Sequence, residues 1–277
     1  MTAVRRPFER TALALAASSL VVSLAGCPAA LPPNLREATV LSNDLPSDPD
    51  NAIKFADEEE AKQTAPAIEN EVLAVDKALV GAPMNYELLW RGARACAWLT
   101  DEFTDKDRRG SWSQKGADYA KRAVAADGKR VEGYYFLGIN LGQSATTKTV
   151  GAYMMVPKVL KAAETALKID EKFDHAGPGR LIGNVYAKAP PWPASVGDVD
   201  DGIKYLKRAV EVAPDYPQNH LHYGDALVSD KQFDEALKQY QMVIDAKVLP
   251  EWAHRAEGWR REAQVGINKI ADKRGGK

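Results

Sequence analysis

Apolar residues recur at helical spacing along most of the chain from about residue 66 onward, with polar residues between them. Steps of three and four residues place side chains on one face of an α-helix, whereas a half-buried β-strand needs strict alternation. No convincing alternating run appears in the sequence. The pattern therefore predicts an all-α protein in which each helix buries one face.

Small residues recur at regular intervals within these predicted helices. One series, mostly alanines, lies near the end of the second helix of each predicted pair. The other series, of glycines, lies inside the first helix of each pair. The first series is Ala78, Ala123, Ala166, Ala209 and the degenerate member Val243, and the second is Gly92, Gly138, Gly183 and Gly224. Because antiparallel helices approach closely only where one of them lacks bulk, the two series predict stacked helix pairs.

The segment 219–246 resembles a tetratricopeptide repeat, in which a large-small pair in the first helix faces an aromatic residue of the second. The matching positions are Tyr223, Gly224, Leu227, Phe233, Ala236 and Tyr240. The sequence thus predicts a tetratricopeptide-like α-α superhelix of about five helix pairs. A further amphipathic helix over residues 252–270 is expected to cap the last pair, and a basic helix lying on a membrane is the alternative for this segment.

The first three predicted pairs exceed the standard repeat length, and their extra residues fall between the paired helices. These insertions are the segments 101–112, 143–153 and 189–198. In a superhelix they share one edge, where loops can build a site. The third insertion contains Pro-Pro-Trp-Pro around Trp192, and it is either part of a site or a rigid loop whose indole merely packs.

The first 27 residues have the pattern of an export signal. A basic head precedes an apolar stretch over residues 11–25, which is shorter than the roughly 20 residues that span a bilayer. The stretch ends in Leu-Ala-Gly-Cys, which resembles the lipobox of bacterial lipoproteins and makes Cys27 the expected lipid attachment site. Pro28 follows in place of Asp, which favours the outer membrane by the sorting rule of enteric bacteria. An ordinary secreted protein with an incidental cysteine is the alternative.

These features divide the chain into a lipoprotein signal peptide at 1–26, a flexible tether at 27–55 and a helical domain at 56–277. The tether is predicted from the five prolines of residues 28–50. The acidic run 57–60 is expected to open the first helix, where negative charge suits the helix dipole. Cys96, the second cysteine, lies at helical spacing with apolar neighbours and is expected to be a small buried hydrophobe.

Composition and motifs then limit the classes of function. With 37 basic and 38 acidic side chains the formal net charge is −1, unlike that of a nucleic-acid binder. His220 and His222 are expected to point away from each other on a helix, and the run 198–202 fails the spacing of a calcium loop. The sequence has no nucleophile elbow, phosphate-binding loop or zinc-protease motif. We therefore expect no enzymatic activity, no metal and no cofactor.

Three stretches carry a more specific resemblance. Residues 134–143 read Tyr-Tyr-Phe-Leu-Gly-Ile-Asn-Leu-Gly-Gln, residues 179–190 read Gly-Arg-Leu-Ile-Gly-Asn-Val-Tyr-Ala-Lys-Ala-Pro, and the segment 197–214 follows. Over residues 134–244 the chain resembles the T-component (TatT) lipoproteins associated with periplasmic TRAP transporters. The resemblance implies a periplasm-facing lipoprotein with a pore or cleft for a small hydrophobic ligand. It also implies a periplasmic substrate-binding protein as partner, allows a homotrimer, and leaves the lipid anchor as the membrane contact.

We expect the ligand site on the concave surface of the superhelix and on its insertion edge. The candidate ligand-binding residues are Tyr134, Asn140, Arg180, Asn184, Tyr186 and Trp192. The alternative function is a scaffold lipoprotein for envelope-protein assembly, with peptides lying in the groove. An enclosed cavity lined by the inserted loops would favour the ligand-handling function, and an open polar groove would favour the scaffold.

Overall fold

The computed structural model describes residues 44–148 and 151–275. Within these ranges the chain forms eleven α-helices and two short 3-10 helices, and an isolated bridge between Pro191 and Gly197 is the only β-type pairing. The helices are α1 Pro49–Glu60, α2 Ala65–Leu79, α3 Tyr86–Glu102, α4 Lys106–Ala126, α5 Val131–Thr147, α6 Val156–Ile169, α7 Phe173–Lys188, α8 Val199–Val212, α9 Pro217–Ser229, α10 Phe233–Asp245 and α11 Ala253–Gly275. The 3-10 helices are Ala152–Met155 and Pro250–Trp252.

Consecutive helices pack as pairs, α1 with α2 through to α9 with α10, and α11 covers both members of the last pair. The predicted superhelix of five helix pairs with a C-terminal capping helix is therefore confirmed for the described residues. Each odd-numbered helix also contacts the next odd-numbered helix, from α1–α3 to α9–α11. The odd-numbered helices consequently form one continuous layer, which lines the concave side.

The small-residue series mark the points of closest approach. A Cβ atom on Gly183 would lie 2.6 Å from Cγ of Leu206 in α8, and one on Gly224 would lie 2.7 Å from Cε1 of Tyr240 in α10. Neither distance is possible for a real side chain, so these positions of α7 and α9 tolerate only hydrogen. The facing alanines of the second helices are buried as well. The regular spacing of the small residues in the sequence thus corresponds to helix–helix contacts in the structure.

Short polar side chains start several of the helices. Asp48, Asn85, Asp105 and Asp198 each accept a hydrogen bond from the backbone N–H three residues later. Such caps satisfy amide groups that the first turn of a helix leaves free. The first carboxylate of the run 198–202, that of Asp198, therefore caps the N-terminus of α8.

Two predictions near the N-terminus need correction. Residues 49–55, predicted as part of the tether, are helical because Asp48 caps α1 and Pro49 suits the first helical position. The acidic run 57–60 ends α1 rather than opening it, and Asp57 accepts two hydrogen bonds from Arg91 of α3, at 2.8 and 2.9 Å. The predicted signal peptide, Cys27 and most of the tether lie outside the described residues.

The insertions mostly lengthen helices instead of forming loops. Residues 101–112 extend the end of α3 and the start of α4, with three non-helical residues between them. Residues 143–147 belong to α5, whereas the segment 189–198 is a loop held by its own backbone hydrogen bonds, such as Gly197 N–H to Pro190 O at 2.9 Å. The first insertion therefore contributes mostly helical residues rather than a loop.

Two further observations concern Cys96 and the membrane-spanning potential of the described helices. Cys96 is fully buried in α3, as expected, and burial raises the pKa of its thiol far above the usual range. None of the described helices combines the length and the apolar composition of a membrane-spanning segment.

Candidate functional site

The odd-numbered helices line a partly open cavity of about 350 Å³ on the concave side of the superhelix. Each inner helix contributes to its wall, because the concave layer brings one face of α3, α5, α7 and α9 to a common centre. Among its lining side chains are Trp98, Phe136, Arg180, Asn184, His222 and Trp252. The wall thus combines aromatic and charged groups, which is the usual composition of a small-molecule site.

The residues 249–255, here called the C-terminal segment, close this cavity against the N-terminal half of the chain. Trp98 of α3 donates a hydrogen bond from Nε1 to Nε2 of His254 over 3.3 Å, and the two rings stack. Gln63, just after α1, donates from Nε2 to the carbonyl oxygen of Glu251 over 3.3 Å. The superhelix therefore curves until side chains of the N-terminal helices meet the C-terminal segment, and this partly open space is here called the chamber.

The protonation state of His254 matters for this contact. Its Nε2 accepts hydrogen bonds from both Trp98 and Arg255, which requires an unprotonated nitrogen. Burial, helped by the charge of Arg255, lowers the pKa of His254 to about 4. The ring is consequently neutral at pH 7 and can keep both bonds.

Arg180 of α7 is the centre of a buried polar network beside the cavity. Its Nη1 donates to the carbonyl oxygens of Asp174 and His175 and to Oδ1 of Asn219, at 3.2, 3.0 and 2.9 Å. Its Nη2 bonds Oδ2 of Asp174 at 2.7 Å and the hydroxyl of Tyr135 at 3.3 Å. Burial opposes the charge, but the nearby Tyr135 and Asp174 outweigh it and raise the pKa of Arg180. The guanidinium is therefore engaged by the protein itself.

The first turn of α7 explains why this network exists. Asp174, His175 and Ala176 have φ values of 47°, 53° and 65°, a left-handed conformation that L-residues rarely adopt. Arg180 binds the first two carbonyl oxygens of this turn, and Asn219 donates to the second over 3.0 Å. Strain of this kind persists only where the surroundings hold it in place. The turn sets the ring of His175 against Tyr216, with centroids 4.3 Å apart, in the cavity wall.

Two of the six candidate ligand residues, Arg180 and Asn184, line the cavity. Asn184 is buried, and its Oδ1 lies 2.7 Å from Nδ1 of His222. Burial, followed by the charges of Lys188 and Arg180, lowers the pKa of His222 well below its usual value. A neutral His222 therefore donates from Nδ1 to the amide oxygen, which leaves its Nε2 free to accept.

The other four candidates lie outside the cavity lining. Asn140 is fully buried, where its Nδ2 donates to the carbonyl oxygens of Ala93 and Phe136 at 3.0 and 2.8 Å. Tyr134 packs in a small cluster with α6, and Tyr186 stacks on Tyr205. Trp192 is 84% exposed on its loop, so the alternative that its indole merely packs is wrong.

Sequence reasoning missed several residues that do line the cavity. Trp98 and Asp101 are three residues apart on α3, and Gln143 of α5 donates from Nε2 to Oδ1 of Asp101 over 2.9 Å. The sequence did contain a signal for these two residues. Trp98 and Asp101 lie near Ala97 on α3, and a helix face that only packs against its neighbours should be apolar throughout. Their partners on the C-terminal segment gave no signal of this kind.

The described ranges contain no group of three or more His, Cys, Asp or Glu side chains arranged to hold a metal ion. The cavity charges instead occur singly or as pairs with arginines, such as Asp174 with Arg180. The arrangement suits reversible binding through aromatic surfaces and a few polar groups.

Comparisons with known proteins agree with this architecture. A family model described as tetratricopeptide repeat matches residues 194–254, which include α8, α9 and α10. No curated protein gives a significant match to the sequence.

Among solved structures, the chain is similar to TTC0263, a thermophilic tetratricopeptide-repeat protein of Thermus thermophilus. The TM-score is 0.59 at 18% identity, over 79% of this chain and 98% of that one. The MamA protein follows with a TM-score of 0.45 at 18% identity, over 74% and 92% of the two chains. Yeast Tom70 has a TM-score of 0.29 at 12% identity, over 91% and 71%. On the first of these likenesses, the chain has the fold of a tetratricopeptide-like protein.

Proposed function

We propose that this protein is a non-enzymatic envelope lipoprotein that holds a small ligand inside its superhelix, as an accessory resembling the T-component of TRAP transporters. The observation that carries the proposal is the cavity on the concave side and the two contacts that bridge it. Trp98 and Gln63 of the N-terminal half contact the C-terminal segment, and the space between them is a chamber of about 350 Å³. A chamber of this volume fits a small molecule. The resemblance over residues 134–244 supports the transport role.

The closure also favours a ligand over a peptide as the occupant. Solenoid proteins that bind extended peptides do so along an open concave surface. Here Glu251, Trp252 and His254 stand across that surface, so an extended chain would have to displace them. Displacement would break the Trp98–His254 and Gln63–Glu251 contacts.

Filling the cavity tests the proposal directly. Ile139 of α5 lines the cavity, whereas Ile169, at the end of α6, is exposed and lies outside it. We expect N-phenyl-1-naphthylamine, an uncharged fluorescent probe, to bind the purified protein with enhanced emission. Ile139→Trp should weaken this binding about tenfold or more, because the larger ring occupies the space, a change worth about 1.4 kcal/mol. Fluorescence titration measures the effect.

Ile169→Trp is the matched control, and it should bind the probe as the unchanged protein does. Circular dichroism of both variants would show that the helices are intact. Equal binding by the two variants, or no binding by the unchanged protein, would remove the case for a ligand chamber.

The lipid anchor is a separate part of the proposal. We expect radiolabelled palmitate to be incorporated into the protein in a bacterial host and the protein to sediment with membranes, with the outer membrane as the proposed location. Cys27→Ala should abolish both results because no other thiol lies in a lipobox. Cys96→Ala is the control, since Cys96 is buried in α3. Incorporation that persists in Cys27→Ala would rule out this anchor.

The transport role also requires a partner, and we propose a periplasmic substrate-binding protein. Genes for such a protein and for TRAP membrane subunits beside this gene would support it. A scaffold for envelope-protein assembly is the second candidate, favoured by the tetratricopeptide-like fold itself, which presents long helical surfaces. A homotrimer remains part of the proposed transport role.

A further inference from the structure

We propose that the cavity selects ligands that carry an ammonium group on an apolar or aromatic body. This inference rests on the proposed function, namely that the cavity holds a small ligand. It concerns the class of that ligand, and three features of the wall support it: one unused acceptor, unpaired carboxylates and aromatic rings.

The first feature is a hydrogen-bond acceptor without a donor, on Gln143 of α5 where that helix faces α3. Gln143 donates from Nε2 to the carbonyl oxygen of Ala97 and to Oδ1 of Asp101, both at 2.9 Å. These bonds use both of its amide hydrogens and leave its Oε1 without a partner, although Gln143 is only 7% exposed. A buried acceptor without a donor costs free energy, so this place needs a ligand that brings N–H or O–H groups.

The second feature is the balance of charge. In the part of the chain that the structure describes, the carboxylates of Glu60, Asp101 and Glu251 line the cavity without a lysine or arginine at ion-pair distance. The nearest basic group to Glu251 is His175, with nitrogen and oxygen 3.9 Å apart. Three acidic groups of the wall are therefore without a counter-ion.

The arginines of the wall do not offset these charges. Arg94 is bound by Glu71 at 3.1 Å and lies 3.7 Å from Asp57, and Arg180 is bound by Asp174. Arg255 is the cation that remains, and its Nε donates to His254. Outside the arginine–carboxylate pairs, the wall therefore carries one guanidinium and three carboxylates, an excess of negative charge.

Asp101 is the carboxylate of this set that lies beside Gln143. Burial raises its pKa, and the charge of Arg255 together with the Gln143 hydrogen bond only partly opposes the rise. An ammonium group beside Asp101 would supply the missing counter-charge and donate to Gln143 Oε1 at the same time. A carboxylate there would add a further negative charge and no donor.

The third feature is the aromatic wall. Trp98, Tyr135, Phe136, Tyr216 and Trp252 all line the cavity. The faces of such rings carry partial negative charge and attract organic cations, most strongly where water is excluded. The same rings provide the apolar surface that an aromatic or aliphatic body needs.

Three probes with the same aromatic body test the proposal. They are 2-phenylethylamine, which is protonated at pH 7, 2-phenylethanol, which is neutral, and 3-phenylpropionate, which is an anion. By calorimetry on the full chain we expect the amine to bind at least tenfold more tightly than the alcohol, and the anion to bind most weakly. Asp101→Asn keeps an acceptor for Gln143 but removes the charge, and it should bring the amine and the alcohol to within about threefold of each other.

Asp118→Asn is the control, because Asp118 lies on the exposed face of α4, and it should keep the full preference for the amine. Equal binding of amine and alcohol by the unchanged protein, or tighter binding of the anion, would overturn the proposal, and this comparison needs no variant. If N-phenyl-1-naphthylamine binds and the amine shows no preference, the ligand class is wrong while the chamber stands. If neither binds, both proposals fail.

Discussion

Replacing Arg180 with methionine will lower the free energy of unfolding by about 3 kcal/mol, because it removes a buried guanidinium together with its hydrogen bonds and its ion pair with Asp174. Methionine preserves much of the volume, so the loss reports the hydrogen bonds rather than a cavity. Asn219 Oδ1 and the carbonyl oxygen of Asp174 would lose their donor, and Asp174 Oδ2 and the carbonyl oxygen of His175 would each keep one. The left-handed turn at the start of α7 would lose a group that holds it. Urea denaturation followed by circular dichroism measures the change.

Arg208→Met is the matched control. Arg208 also binds a carboxylate with two hydrogen bonds, to Glu171 at 2.8 and 3.0 Å, but its side chain is 57% exposed on α8. Exposed pairs contribute little, because water solvates both charges in the unfolded and folded states. We expect only a small fraction of the Arg180 loss. Similar losses in the two variants would show that the buried network does not support the α7 turn.

Replacing Gly266 with alanine will destabilise the protein by about 2 kcal/mol, even though alanine is the better helix former. A Cβ atom at this position of α11 would lie 2.3 Å from Cζ of Tyr240. Tyr240 cannot move away, since it is 1% exposed, contacts Gly224 on its other side, and donates from its hydroxyl to Oδ1 of Asp225 over 2.8 Å. The helix α11 must shift instead, which loosens the cap of the superhelix. Thermal and urea denaturation both measure this loss of stability.

Gly258→Ala provides the opposite result within the same helix. A Cβ atom on Gly258 would meet nothing within 4 Å, so only the helix propensity changes. We expect a gain of about 0.5 to 1 kcal/mol. A loss at Gly258, or no loss at Gly266, would mean that Tyr240 does not fix α11 as the distances indicate.

The helix pairs could be predicted because the sequence records them locally. Gly224 and Tyr240 belong to neighbouring helices of one hairpin, and the small residue and the ring that fills its gap are only 16 positions apart. The start of α1 escaped prediction although its signal, Asp48 followed by Pro49, was present. The prolines of the preceding stretch suggested an extended chain throughout, so the helix cap formed by Asp48 was not recognised.

The site was harder to predict because the positions of its residues depend on contacts between segments that are far apart in the sequence. Asn140 has the chemistry of a ligand-binding residue, yet its amide is used to join α5 to α3. Arg180 does reach the cavity wall, but the α7 turn occupies its donors. Asp101 and Arg255 share the chamber only because the superhelix closes, and no local pattern specifies how far a stack of helix pairs will bend.

The contact between Trp98 and His254 joins positions 156 residues apart, and that between Gln63 and Glu251 joins positions 188 apart. A linear repeat protein gains its stability from nearest neighbours and can fray from either terminus. Here two hydrogen bonds also link the first two helix pairs to the segment at the start of α11. We therefore expect the two ends to unfold in a coupled way, and the contacts between these distant segments to form late in folding.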